Sequence, residues 1–535
     1  MVVFTFYNIR RNILFTLTTI QCDVSRIVNI EQGAVKGYLS DGIFSFYGIP
    51  YATSPKGRHR FKAPLPPPKF NETFEATNFN IRCAQTNHHE IEENCLVANI
   101  FVPNTIDTNL PVLVFIHGGG FQRGSGNRSF ATNLIKSKNI IYVTFNYRLG
   151  AHGFLCLGTK DIPGNAGMKD QVTLLRWVHK NIGHFGGNVD EITVYGSSAG
   201  SRSVDLLLLS KATKNLITGV IADSGSGLAF SSVQIDPLEN AKKFARMVNF
   251  TDVDDINALE NFYLTASYDT LTSIDLMNMQ DFLFTPCVER FVGEEVFLDE
   301  SPLDILKKGD YPKLPILQGY TDMEGSFRIG VFPIWKDEMN SNFSNFLPHD
   351  LHFSSQTEKE EVAKRVRELY FQDNEITEDN IILFLNYFGD IMYVYPTLRA
   401  LKLHLEANHD QVFLYEYSFT SEESPRIPYI DQPFQEMKGI IQDMNHLTWI
   451  YILRPVVEGS DFPAWSPIRP NRFTYMSLNH TLELRNLQHR ALFWEGIYEK
   501  YYCNPIPPPD YNTASSISVT LFSPFVIFLL LENNI

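Results

Sequence analysis

Cysteine is scarce, 6 in 535 residues, which is too few for a disulfide-dense scaffold. Positive charge is short as well. Lys plus Arg is 45 against 60 Asp plus Glu, a formal net charge of −15. That balance disfavours a nucleic-acid partner, because phosphate contacts need clustered cations. No run of 18 uninterrupted apolar residues occurs, which disfavours a polytopic membrane protein. Internal repeats and linker-like Gly/Ser or charge blocks are also missing. There is no G-x-x-x-x-G-K-[ST], and no G-x-G-x-x-G tied to a helix, so nucleotide binding is a poor reading. What remains is ordinary globular material, 44% hydrophobic and 20% charged, enough for a large core. One α/β unit over 23–505 is the economical division.

Both ends read as addresses. Arg10 and Arg11 precede an apolar stretch from Ile13 to Ile20, followed by Gln21 and Cys22, a pattern of a secretory signal over 1–22 or else of a frayed terminus. In the tail, 506–535, Ile517–Leu531 is largely apolar and follows the small residues Thr513–Ser516. It fits a removable lipid-anchor signal, and with it cell-surface attachment, or a loosely attached tail. Asn-x-Ser/Thr sequons at Asn71, Asn127, Asn249, Asn342 and Asn479 fit a secreted, glycosylated protein. Cys83 and Cys95 flank a short polar loop that contains His88 and His89. The usual zinc-ligand spacings are missing there, so a loop-closing disulfide is the better reading and no metal is expected. The scattered Cys22, Cys156, Cys287 and Cys503 carry no pairing signal.

Pro111–Ile116 and Ile140–Phe145 are continuous apolar runs of strand length, as expected for strands buried on both faces. Asp170–Ile182 carries Val172, Leu175, Val178 and Ile182 at helical spacing. Glu191–Tyr195 predicts a strand, followed by a helix to Leu209; Gly219–Ala222, Leu314–Leu317 and Val412–Tyr417 predict further strands. Pro64–Pro68 excludes helix there. Charged amphipathic stretches over 236–274 and 357–387 predict helices outside a sheet. Such alternation predicts an α/β fold with a mostly parallel sheet flanked by helices.

Two motifs carry chemistry. Gly196-Ser197-Ser198-Ala199-Gly200 lies between a predicted strand and a predicted helix. There a sharp turn presents the serine, and side chains in place of the glycines would clash. The same turn sets the amide of Ala199 at a helix N-terminus, where an oxyanion is stabilised. His117-Gly118-Gly119-Gly120-Phe121 follows the strand ending at Ile116. Its bland reading is a strand-end turn; its chemical reading is bare amides offered to an anion opposite the nucleophile.

These motifs, with others, resemble the type-B carboxylesterase and cholinesterase family. The matching text is FYGIPYA (46–52), NCLVANIFVP (94–103), HGGGF (117–121), NYRLGAHGF (146–154), GNAGMKDQ (164–171), LRWVHKNIGHFGGN (175–188) and ITVYGSSAG (192–200). SGS (224–226), GYTDMEGSF (319–327) and HRALFWEGIY (489–498) continue it, so the likeness runs from about Arg26 to Tyr501. It implies an α/β-hydrolase fold and a carboxylic ester hydrolase with Ser198 as nucleophile. By the same likeness Gly119, Gly120 and Ala199 are the oxyanion donors and Glu324 the triad acid. Cys83 and Cys95 match the family's first disulfide, with a shorter loop, and Arg148 and Asp170 match a structural ion pair. Substrates would be small neutral or hydrophobic esters, and no cofactor is implied.

The third triad member departs from the family pattern. Aligning Leu447-Thr448-Trp449 without a gap puts Asp443 in the histidine slot, with His446 three residues later as the nearest replacement base. A carboxylate with a reference pKa of about 3.9 is a feeble base for a serine hydroxyl. Ser197 replaces the acidic residue before the nucleophile, and Arg202 stands where the family has small residues. The loop between Cys83 and Cys95 has no tryptophan, which removes the family's choline platform. Two classes follow: an esterase with an incomplete triad, or a catalytically silent relative that acts by binding or adhesion.

Overall fold

Unalternating apolar segments build the middle of a thirteen-stranded sheet. The computed structural model describes residues 24–86, 94–127, 131–280, 282–419, 465–470, 472–479, 481–487 and 489–511. The signal-like segment, the stretch 512–535, His88, His89, Asp443 and His446 lie outside the described residues.

In chain order the strands are β1 (Ser25–Ile30), β2 (Gly33–Ser40), β3 (Ile43–Pro50), β4 (Phe74–Glu75), β5 (Val97–Pro103), β6 (Leu110–Ile116) and β7 (Ile141–Phe145). They continue as β8 (Gly187–Ser197), β9 (Gly219–Asp223), β10 (Ile316–Thr321), β11 (Val412–Tyr417), β12 (Thr474–Leu478) and β13 (Leu482–Asn486). The spatial order is β1-β2-β3-β5-β7-β6-β8-β9-β10-β11-β12-β13, with β4 beside β2. From β7 to β12 every neighbour is parallel. The flanks are antiparallel except that β4 runs parallel to β2. Strands β5, β7 and β9 are buried at every position, which explains why they read as runs rather than alternations. This is the α/β-hydrolase arrangement that the sequence resemblance implied.

The helix predicted over 170–182 spans Ala166–Asn181. The strand expected over 314–317 starts at Ile316, after Pro315, and runs through Gly319 to Thr321. Gly319 fits a strand there because the Tyr415 ring of β11 lies flat against it, where a Cβ would collide. The helix Ala199–Leu209 is buried along its whole length against β8 and β9. The stretch Glu378–Glu406 is apolar and long enough to cross a membrane, but 83% of its apolar window is buried inside the protein. Within it, the helix Ile381–Gly389 widens into a π-turn over Asp390–Val394 and resumes as Tyr395–Glu406. Pro396 accounts for the widening: its ring cannot sit against the carbonyl four residues back in a regular α-helix.

Cys83 is bonded to Cys95. Cys156 is bonded to Cys287 across a sequence separation of 131, a pair that no spacing signalled. Among the described residues Cys503 is a free thiol.

Candidate active site

Parallel register brings the carboxyl ends of β6, β8, β9 and β10 to one edge, since Ile116 pairs with Gly196, Ser197 with Asp223, and Asp223 with Gly319. Ligand sites of open α/β sheets form beyond such ends. Ser198 occupies the step from β8 into the buried helix, with φ 57° and ψ −120°, a strained backbone for a residue with a side chain. The strain is held by close packing. A Cβ on Gly196 would overlap the carbonyl of Gly200, and one on Gly200 would overlap that of Ile116. The Ser198 amide donates to the Asp223 carbonyl at 2.9 Å, and the Ser198 carbonyl accepts from the Arg202 amide at 3.1 Å. Ser197 is buried beside it, and its hydroxyl finds no hydrogen-bond partner among the described residues.

The glycine loop after β6 lies against this turn. A Cβ on Gly118 would stand 2.6 Å from the Ser197 carbonyl oxygen and 3.0 Å from the Ser198 Cβ. Gly119 and Gly120 adopt φ 113° and 62°, and the Gly119 carbonyl accepts from the amides of Gln122 and Arg123. Met277 and Phe282 pack on Gly120. The loop is braced from behind: Tyr147 stacks on His117 with ring centroids 4.4 Å apart and donates its hydroxyl to the His117 carbonyl at 2.9 Å. Arg148, next in the chain, is clamped by Asp170 through Nε–Oδ2 at 2.8 Å and Nη2–Oδ1 at 2.6 Å. Both partners are buried, so this pair is a bidentate anchor in the interior.

Glu324 follows β10. Its Oε1 accepts from the Thr321 amide at 2.7 Å, and Ser224 lies near enough to favour its charged form. Burial is the largest influence on it, and Asp223 adds like charge, so its pKa is pushed up to about 8 against Thr321 and Ser224. Tyr195 and Tyr415 donate to Asp223 at 3.3 and 2.7 Å.

Sequence reasoning missed four contributors. Tyr393, on the π-turn, neighbours Ser198 and feels the charges of Arg202, Glu324 and Arg328. Arg328, Phe282 and Met277 close the same wall: Arg328 donates to the Met277 carbonyl at 2.9 Å and lies over the Phe282 ring. No motif marks them; the one available signal was Pro396, three residues past Tyr393, as a disturber of the helix. Arg202, singled out as anomalous, is fully buried here.

The structure therefore brings Ser198, Ala199, Gly119, Gly120 and Glu324 to one edge of the sheet, while Asp443 and His446 lie outside the described residues. Cys83 and Cys95 belong to the loop region beside Arg60 and Arg148. Of the sequons, Asn71, Asn249 and Asn342 are exposed, and Asn479 is half-buried. Asn127 is also half-buried, with its amide donating to the Phe79 carbonyl. Among the described residues no His/Cys/Asp/Glu cluster could hold a metal ion.

A model of the carboxylesterase family matches residues 24–457. Juvenile hormone esterase of Tribolium castaneum is 31% identical over 451 residues, which cover 77% of this chain and 76% of that protein. Venom carboxylesterase-6 of Apis mellifera is 31% identical over 531 residues, 88% of this chain and 94% of that one. The crystal structure of juvenile hormone esterase from Manduca sexta, with OTFP covalently attached, superposes with a TM-score of 0.77 at 26% identity. That superposition covers 89% of this chain and 100% of that one.

Proposed function

The chain belongs to the carboxylesterase family, and from that premise we propose that it hydrolyses small carboxylic esters with Ser198 as nucleophile. The Ser198 Oγ bonds to the acyl carbon while its proton passes to a base. The amides of Gly119, Gly120 and Ala199 receive the oxyanion. The bond to the alcohol breaks as the leaving oxygen takes up a proton, and water then releases the acid from the acyl-enzyme. Glu324 orients the base. One observation carries the reading: Ser198 is held at φ 57° between a strand and a buried helix, with the glycine loop packed directly against it.

The base is the weak element. Asp443 stands in the slot by the ungapped register and His446 is the nearest imidazole in sequence, so turnover is slow relative to an intact triad. That substitution favours the second reading, a silent esterase-like binding or adhesion protein. A fluorophosphonate probe separates the two. Labelling of the wild type, lost in Ser198→Ala, supports the hydrolase; a protein that takes no label and turns over no short-chain aryl ester is a binder.

Secretion belongs to the same proposal. Two disulfides and exposed sequons at Asn71, Asn249 and Asn342 support an oxidising, glycosylating route. Glycosidase-sensitive mass on those three peptides is the expected outcome.

A further inference from the structure

Two guanidinium groups are buried beside the candidate nucleophile, each only 2% exposed. Arg202 lies one turn into the helix that Ser198 opens, and its side chain packs against Gly225, as does the Ser198 carbonyl. Arg328 comes from the segment after Glu324. Both sit over one ring, Phe282, at 5.8 and 5.2 Å from its centroid, and Phe282 packs on Gly120. Arg202 also lies 5.7 Å from the ring centre of Tyr393, whose side chain neighbours Ser198. The two charges thus converge on a wall whose other members touch the glycine loop and the serine.

Among the described residues that wall offers the two charges no carboxylate in salt-bridge contact. Arg202 donates to the Ser231 carbonyl at 3.2 Å and Arg328 to the Met277 carbonyl, but the Nε of each finds no acceptor among the described residues. Neither forms an ion pair among them. Glu324 is the carboxyl that acts on Arg202, and burial keeps it substantially protonated near neutral pH. Arg328 is pulled down to about 10, chiefly by burial with Arg202 as a contributor. Contacts with aromatic faces offset only part of the cost of burying two like charges. A planar oxyanion shared by the two donor forks would offset more of it, through charge-assisted hydrogen bonds.

The geometry points to an anion subsite beside Ser198, where Arg202 and Arg328 hold a carboxylate of the substrate, so that the preferred esters are half-esters of short dicarboxylic acids. The inference departs from the neutral or hydrophobic substrate that the sequence implied. Turnover of such esters rests on the hydrolase reading; binding does not.

The test is isothermal titration of full-chain Ser198→Ala protein near pH 7 with monomethyl glutarate and with dimethyl glutarate. The monoanion should bind at least about tenfold more tightly, as two charge-assisted contacts would give. Arg202→Met and Arg328→Met should each abolish that preference, read as the ratio of the two esters' affinities within each variant, and Arg328→Lys should restore part of it. Equal affinity for the two esters overturns the subsite, a comparison that needs no arginine variant to fold. Preference undiminished in both Met variants overturns it too. Anion preference in a protein whose wild type takes no fluorophosphonate label would sink the hydrolase reading alone.

Discussion

The Tyr393 phenol, on the π-turn, neighbours the Ser198 side chain, so a tyrosine from outside the sheet, as well as the strained backbone, bears on the nucleophile's hydroxyl. π-turns inside helices recur where a side chain must be re-aimed. Tyr393→Phe should slow fluorophosphonate labelling of Ser198 by about two- to tenfold, the kinetic equivalent of one hydrogen bond of roughly 0.5–1.5 kcal/mol. Labelling at the wild-type rate would show that the phenol does not position the serine.

Asp443→His should raise both labelling and hydrolysis of a short-chain aryl ester by orders of magnitude, since a missing triad member forfeits about that much. His446→Ala should change neither if Asp443 fills the slot. Fast wild-type labelling that His446→Ala abolishes and Asp443→Ala leaves intact would instead make His446 the base.

Glu324 titrates at about 8 in the fold against an ordinary 4.5. Between those values the folded state holds a proton that unfolding releases, so this group's contribution to stability falls as pH rises from about 4.5 to about 8. The melting temperature of the wild type relative to Glu324→Gln should therefore decline across that window and level off above it. Thermal melts at pH 5, 6.5 and 8 check this; a constant difference would mean that Glu324 keeps its ordinary pKa.

Gly200→Ala should abolish labelling and cost at least about 1–3 kcal/mol, because its methyl has no room beside the Ile116 carbonyl. Gly183→Ala is the control, as nothing lies within 4 Å of its Cβ position; denaturant melts of both variants should separate them clearly.

Non-reducing peptide mapping should return Cys83–Cys95 and Cys156–Cys287, with Cys503 alkylated. Replacing Cys156 and Cys287 together by serine should lower stability by about 4–5 kcal/mol on the loop-entropy model, given the long loop closed.

The fold was legible wherever the local pattern and the buried environment agreed. Val112–Ile116 and Ile141–Phe145 are apolar because both faces of the sheet are covered, and Gly196 and Gly200 flank a turn that admits no side chains. Gly319 obscured the end of β10, since only the ring of Tyr415, nearly a hundred residues on, makes a glycine suit that strand. Tyr393 and Arg328 gave no sign for the same reason. Each looks like core or surface until the π-turn sets Tyr393 beside Ser198 and the segment after Glu324 sets Arg328 over Phe282. Cys156 and Cys287 likewise meet only through tertiary structure. Arg202 was visible as an anomaly, but its meaning needed Phe282 and Arg328 beside it.

The left-handed backbone at residue 198 also limits which nucleophiles the position can accept. A β-branched side chain is a steric outlier at φ 57°, so threonine, although it offers the same hydroxyl, cannot take over there. Cysteine, unbranched at Cβ, can. The local geometry thus admits a thiol exchange at residue 198 and closes it to the secondary alcohol.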